Sequence, residues 1–222
     1  HPIRGVTIRY TLDGTAPDSL LATVYDPQKP PIVSANTTVK ARVFKEGWYG
    51  SEVALFDFYK STHKPDSLRV LTPLSRVHQG LGKASFFDGI LGGFNANSPA
   101  WANHWMGVRE NDIARIIFFK RPIKVRAVGV RSLTEPETGI FPPAELEVWG
   151  GTHEQSLRLL GKVRPQQPTS IAKPYMQYWE SGFKEAEVSV LKIVVKPLKE
   201  IPAWHGAKGR PALLLVDEVF IN

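Results

Sequence analysis

The stretch VRENDIARIIFFKRPIKVRAVGVRSL, residues 108–133, decides the fold class. Ala114 to Phe119 is of strand length and, Arg115 apart, apolar. Ile123, Val125 and Ala127 then alternate with Lys124 and Arg126, the period of two that puts one set of side chains on a core and the other in water. Arg121-Pro122 separates the two runs and predicts a turn between strands, because proline fixes φ and cannot donate to a ladder. The same signature recurs outward from it. Thr7–Leu12, Thr38–Phe44 and Val53–Tyr59 are predicted strands upstream. Ala114–Phe119, Val125–Leu133, Glu145–Trp149, Leu157–Val163, Val188–Pro197 and Leu213–Ile221 form a second series. Almost nothing carries a helical period. With 18 Gly and 18 Pro as punctuation, the pattern predicts an all-β protein of two β-sandwiches rather than a doubly wound sheet.

The polar stretch KSTHKPDS, residues 60–67, separates the two series, and the predicted domains are residues 1–62 and 63–222. HPIRGVTIRY runs almost directly into a strand, which reads as a chain trimmed at its N-terminus. Hydrophobic residues make up 42% of the 222, enough for a packed core. No apolar run reaches the ~18 residues of a membrane span. The absence of cysteine excludes disulfides, thiolate metal sites and cysteine nucleophiles. The formal charge of +7 is spread over Arg109, Arg115, Lys120, Arg121, Lys124, Arg126 and Arg131. Such scatter predicts a solubilising surface and no nucleic-acid partner.

Catalysis is not signalled. A glycosidase usually flanks its scissile bond with two carboxylates. Glu135 and Glu137 in LTEPETG are a local acidic pair, and they read as a solvated turn. Asp13 reads as half of an Asp13-Gly14 tight turn. GxSxG, HExxH and the P-loop pattern do not occur, and the six histidines are dispersed.

The order IRYTLDGTAP (residues 8–17), TTVKARVF (37–44) and KEGWYGSEV (45–53) resembles the small C-terminal domain of chitobiase and bacterial β-hexosaminidases. That resemblance implies an immunoglobulin-type sandwich whose first strand is missing or shortened. Residues 80–222 resemble a discoidin-type domain, also called coagulation factor 5/8 C-type, the jelly-roll fold of family 32 carbohydrate-binding modules. The marks are DGILGG (88–93), WMGV (105–108) with NDIARIIF (111–118), GIFPPAELEVW (139–149), and WHG (204–206) with the terminal VDEVFIN (216–222). Where the family often has IDLG, this chain has IIFFKRP.

The resemblance implies that loops at one end of the second sandwich carry a glycan, of N-acetylhexosamine or galactose type. Sugar binding needs an apolar ring face and nearby polar groups for the hydroxyls. The predicted ligand residues are Trp101, Asn103, His104, Trp105, Arg109, Glu110, Phe141, Trp204 and His205. Trp105 reads either as a ligand platform or as a core plug under its loop; Trp204 either meets the ligand or clamps its loop against Arg210-Pro211. A structural Ca²⁺ is the other implication, with Asp88, Asn95 and Glu218 as ligands aided by carbonyls of the 89–93 turn, since a hard cation takes oxygen ligands. Asp217-Glu218 reads either as metal-side carboxylates or as a solvated pair on a strand. The expected role is a non-catalytic carbohydrate-binding pair of modules from a secreted, periplasmic or cell-envelope bacterial protein, with a catalytic domain resembling family 20 β-hexosaminidase upstream. The alternative is a structural or protein-docking appendage without sugar binding.

Overall fold

A computed structural model describes residues 3–94, 96, 98 and 102–222. The chain is all-β and divides into two compact units, residues 1–60 and 61–222.

In the first unit β1 (Thr7–Thr11), β2 (Thr23–Val24), β3 (Thr37–Phe44) and β4 (Ala54–Phe58) form one antiparallel sheet in the order β2-β1-β3-β4. Directly paired residues share a face. Ile8↔Val43, Tyr10↔Ala41, Val39↔Phe56 and Thr37↔Phe58 therefore define an apolar face, while Arg9↔Arg42, Thr11↔Lys40 and Thr38↔Asp57 define a polar one. The Asp13-Gly14 turn is as its sequence implies: Gly14 has φ +82°, and Asp13 Oδ1 accepts from the Thr15 amide at 3.0 Å and the Thr15 hydroxyl at 2.7 Å. An immunoglobulin-type sandwich needs a second layer, which the described residues of this unit do not contain. Only Pro17 and Ala22 among them are buried, and Phe56 and Phe58 on the apolar face are 53% and 47% exposed.

The second unit is built on β5 (Ser67–Val70), β6 (Met106–Val108), β7 (Ile113–Thr134), β8 (Glu145–Gly151), β9 (Arg158–Val163), β10 (Tyr175–Lys196) and β11 (Leu214–Ile221). They hydrogen-bond in the order β6-β11-β7-β10-β8-β9, with β5 on β7. β7 and β10 are long enough to serve the structure twice. Residues 113–118 of β7 pair with the end of β10, and residues 115–118 also with β5, while residues 125–134 pair with the start of β10, and residues 128–133 also with β11. The core draws on both halves of these strands, with Ile113 and Ile117 beside Val125, Val128 and Val130, and with Leu146, Leu191, Leu214 and Ile221. The sheet thus folds over its own core as a β-sandwich.

The turn expected at Arg121-Pro122 is instead a bulge inside β7. The register jumps from Ile123↔Val188 to Phe118↔Val190, leaving residues 119–122 out of the ladder. A bulge absorbs a proline, which has no amide hydrogen to pair, and re-aims the strand. The basic residues expected on the surface divide as well: Arg115 and Arg131 are buried.

Candidate functional site

Trp105 is 0% exposed. Its ring packs with Leu133, Ile140, Leu213 and Leu215, and its Nε1 donates to the Gly93 carbonyl at 3.1 Å. A ligand would find no free face there, so this predicted contact is corrected to a core plug that holds the 88–93 turn. Phe141 is corrected likewise: it is buried with Ile201 and Ala212. Trp101 and Asn95 lie outside the described residues.

The loop after β10 does offer a ring to solvent. Its neck closes where the Ile201 amide donates to the Arg210 carbonyl at 2.9 Å and the Gly209 amide donates back to Ile201 at 3.0 Å. Gly209 has φ +76°, a conformation that a side chain would strain. Within the loop the Ala207 amide donates to His205 Nδ1 at 2.9 Å; a lone pair therefore lies on Nδ1, and in the neutral ring the proton is on Nε2. Trp204 is 37% exposed, at the tip. Its ring centroid is 6.1 Å from that of Phe141 and 5.6 Å from that of His205, which is 6.0 Å from Phe141. Three of the predicted residues are thus one aromatic cluster: Phe141 is its buried floor, His205 its buttress and Trp204 its solvent face. Arg109 joins the same loop through Nη1, which donates to the Pro211 carbonyl at 3.3 Å. Asn103 and Glu110 are exposed and His104 is half-buried.

The predicted metal ligands occupy a separate acidic niche. Glu218 and Asp217 are adjacent in β11 yet both buried, because the register shift between Val216 and Glu218 is a bulge at Asp217. Asp217 Oδ2 accepts from the Gly92 amide at 2.8 Å and from Arg131, while Arg131 Nη1 also reaches the Gly92 carbonyl at 3.3 Å. Even with Arg131 beside it, burial pushes the Asp217 carboxyl up to about 7. Glu218 accepts from the Gly89 amide at 3.2 Å. Burial first, then the negative charges of Asp88 and Asp217, push it up to about 8. Asp88 Oδ1 caps its own turn by accepting from the Ile90 amide at 2.8 Å. The Asp217 and Arg131 pair was missed from sequence; its signal was two acidic residues inside the apolar run LLLVDEVFI.

Among the described residues no group of three or more His, Asp or Glu side chains could hold a metal ion. What the niche does have is two like-charged carboxyls, Asp88 and Glu218, close enough to raise Glu218, and a buried Asp217 Oδ1 without a hydrogen-bond partner. The unpartnered Asp217 oxygen is the one feature there that a small cation would satisfy.

Residues 2–58 match a family model described as Fn3 associated (Fn3_assoc). No curated protein matches the chain. Among solved structures, the chain is similar to the CBM32 of AlyQ in complex with 4,5-unsaturated mannuronic acid, at 10% identity and TM-score 0.40, over 72% of this chain and 96% of that one. A pectin-binding carbohydrate-binding module is similar at 9% identity and TM-score 0.43, over 72% and 92%. The CBM32-1 and CBM32-2 domains of Clostridium perfringens ZmpB are similar at 8% identity and TM-score 0.46, over 71% of this chain and 34% of that one. No helix among the described residues is long and apolar enough to cross a membrane.

Proposed function

We propose that residues 61–222 are a non-catalytic carbohydrate-binding module whose ligand stacks on Trp204. The observation that carries this reading is the Trp204 ring, over a third exposed at the tip of a backbone-braced loop and held from behind by Phe141 and His205. An indole fixed in this way offers a sugar ring an apolar surface without the entropy cost of ordering a mobile side chain. Arg109, Glu110 and Asn103, exposed on the segment that Arg109 ties to Pro211, supply the polar groups that hydroxyls require. The parent is read as a secreted or cell-envelope glycoside hydrolase with its catalytic domain upstream, and the ligand as an N-acetylhexosamine or galactose type.

A Ca²⁺ at the acidic niche belongs to the same reading. Asp88 and Glu218 would hold it, with Asn95 and carbonyls of the 89–93 turn, and the ion would neutralise buried negative charge and brace the loop. Its role is structural.

Titration calorimetry with N-acetylgalactosamine, N-acetylglucosamine and galactose tests the glycan reading. Binding in the millimolar range or tighter, weakened at least tenfold in Trp204→Ala, is expected. No heat with any glycan would favour the second reading, a docking appendage, for which the exposed apolar face of β1–β4 is the specific observation.

A further inference from the structure

Arg115 opens β7 in a place that the aromatic loop does not use. It is 4% exposed, and its guanidinium makes two hydrogen bonds, both from Nη1, to the Thr72 carbonyl at 2.9 Å and the Ala114 carbonyl at 2.8 Å. Nε is shielded from solvent and has no acceptor. The face of the guanidinium lies over Phe86, 5.0 Å from the ring centroid. No described carboxylate pairs with it, and burial alone draws the group down to about 10. A buried cation without a counter-charge is costly, and native structures normally pair it.

The same side chain lines a cavity of about 320 Å³ with Val70, Pro73, Leu74, Gln79 and Phe86. One wall is preformed: the Ser85 amide donates to the Gly82 carbonyl at 3.2 Å, and Ser85 Oγ accepts from the Leu81 amide at 2.7 Å. The cavity therefore combines apolar walls, one amide and one guanidinium without a counter-charge. Hydrated inorganic anions gain nothing from such walls, whereas an organic carboxylate can bury its carbon skeleton while its charge meets the guanidinium.

We infer that the Arg115 cavity is a binding site for a small organic carboxylate, received by the guanidinium against Val70, Pro73, Leu74 and Phe86. The site shares no residue with the Trp204 cluster and does not depend on the glycan reading.

The test uses the whole chain at constant ionic strength. D-glucuronate, acetate, the methyl ester of D-glucuronate and sulfate are titrated while the side-chain Nε–Hε resonance of Arg115 is followed by NMR. Saturable shifts with glucuronate or acetate, and none with the ester, are expected; whichever of the two binds more tightly says whether a sugar ring or a short aliphatic carboxylate is the better fit. Arg115→Gln is expected to weaken that carboxylate at least tenfold, and Trp204→Ala to leave it within twofold. If Arg115→Gln does not fold, the wild-type resonance still decides. No saturable shift at 100-fold excess over protein, an equal response to the neutral ester, or tighter binding of sulfate than of either carboxylate would each overturn the assignment.

Discussion

Gly92→Ala should destabilise the second unit through a single collision. A Cβ built on Gly92 would lie 2.4 Å from Cε2 of Trp105, 2.6 Å from Cζ2 and 2.7 Å from Nε1, against the 3.5–4.0 Å of ordinary carbon contact. The turn has no room to retreat, since its amide is held by Asp217 and its carbonyl by Arg131. The indole has none either, being enclosed by Leu133, Ile140, Leu213 and Leu215. Overpacking a rigid site costs about 1–3 kcal/mol, and two immobile partners place this case near 2–3. At roughly 2–4 °C per kcal/mol, the melting temperature should fall by about 4–12 °C. Trp105→Phe alone should cost about 2–4 kcal/mol, from lost ring atoms and an unpaired Gly93 carbonyl. The double variant is the sharper measurement: phenylalanine lacks the fused-ring atoms that the new methyl strikes, so the two costs should fall short of additive by at least about 1 kcal/mol. Urea denaturation of all four proteins supplies the cycle. Additivity within about 0.5 kcal/mol, or a neutral Gly92→Ala, would refute the packing argument.

Three more outcomes follow from particular residues. Glu145 bonds Arg164 at 2.6 Å and Lys196 at 2.8 Å, and these partners, Lys196 first, hold its carboxyl down at about 2. Its folded value is below its unfolded one, so its contribution is complete above about pH 5 and is lost as pH falls toward 2. Solvent around Arg164 screens the pair, and Glu145→Gln should cost about 1 kcal/mol at pH 7 and only a small fraction of that at pH 2 by denaturant titration; an equal cost at both would contradict the ion-pair account. Residues 3–60 expressed alone should show the poorly dispersed amide spectrum of an unfolded chain, because one sheet with two buried residues cannot offset its chain entropy; a dispersed spectrum would contradict this. Excess EDTA should lower the calorimetric melting temperature by several degrees and Ca²⁺ should restore it, the effect vanishing in Glu218→Gln; an unchanged melt would remove the metal.

How much of this was legible in the sequence depends on how local each cause is. The alternation of Ile123, Val125 and Ala127 is a property of neighbours, and it exposed the strand directly. Arg121-Pro122 has equally local turn chemistry, yet β10 runs alongside both halves of β7 and holds them in one line, so pairing with a distant partner overrode it. β2, β5 and β6, of two to four residues, are too short to carry a period at all. Trp105 looked ambiguous because its sequence neighbours are Gly, Asn and Ala; the leucines that bury it come from β7, from β11 and from Leu213 just before it. The buried Arg115, Arg131, Asp217 and Glu218 were harder still. Charge in a sequence reads as surface, and only the bulge in β11 and the folding of the 71–93 segment over β7 and β11 turn these four inward. Trp204 and His205 became candidates through the resemblance of their segment and not through any local pattern; that they stack with Phe141 is a property of the folded loop alone.

The most direct measurement is the affinity of the intact chain and of Trp204→Ala for a panel of mono- and oligosaccharides, with thermal melts run in parallel. Trp204 is part-exposed and outside the main core, so the variant should melt within about 2 °C of the parent while its glycan affinity falls at least tenfold. A parent protein that binds no saccharide at millimolar concentration, or a variant that binds as well as the parent, would contradict the carbohydrate-binding account.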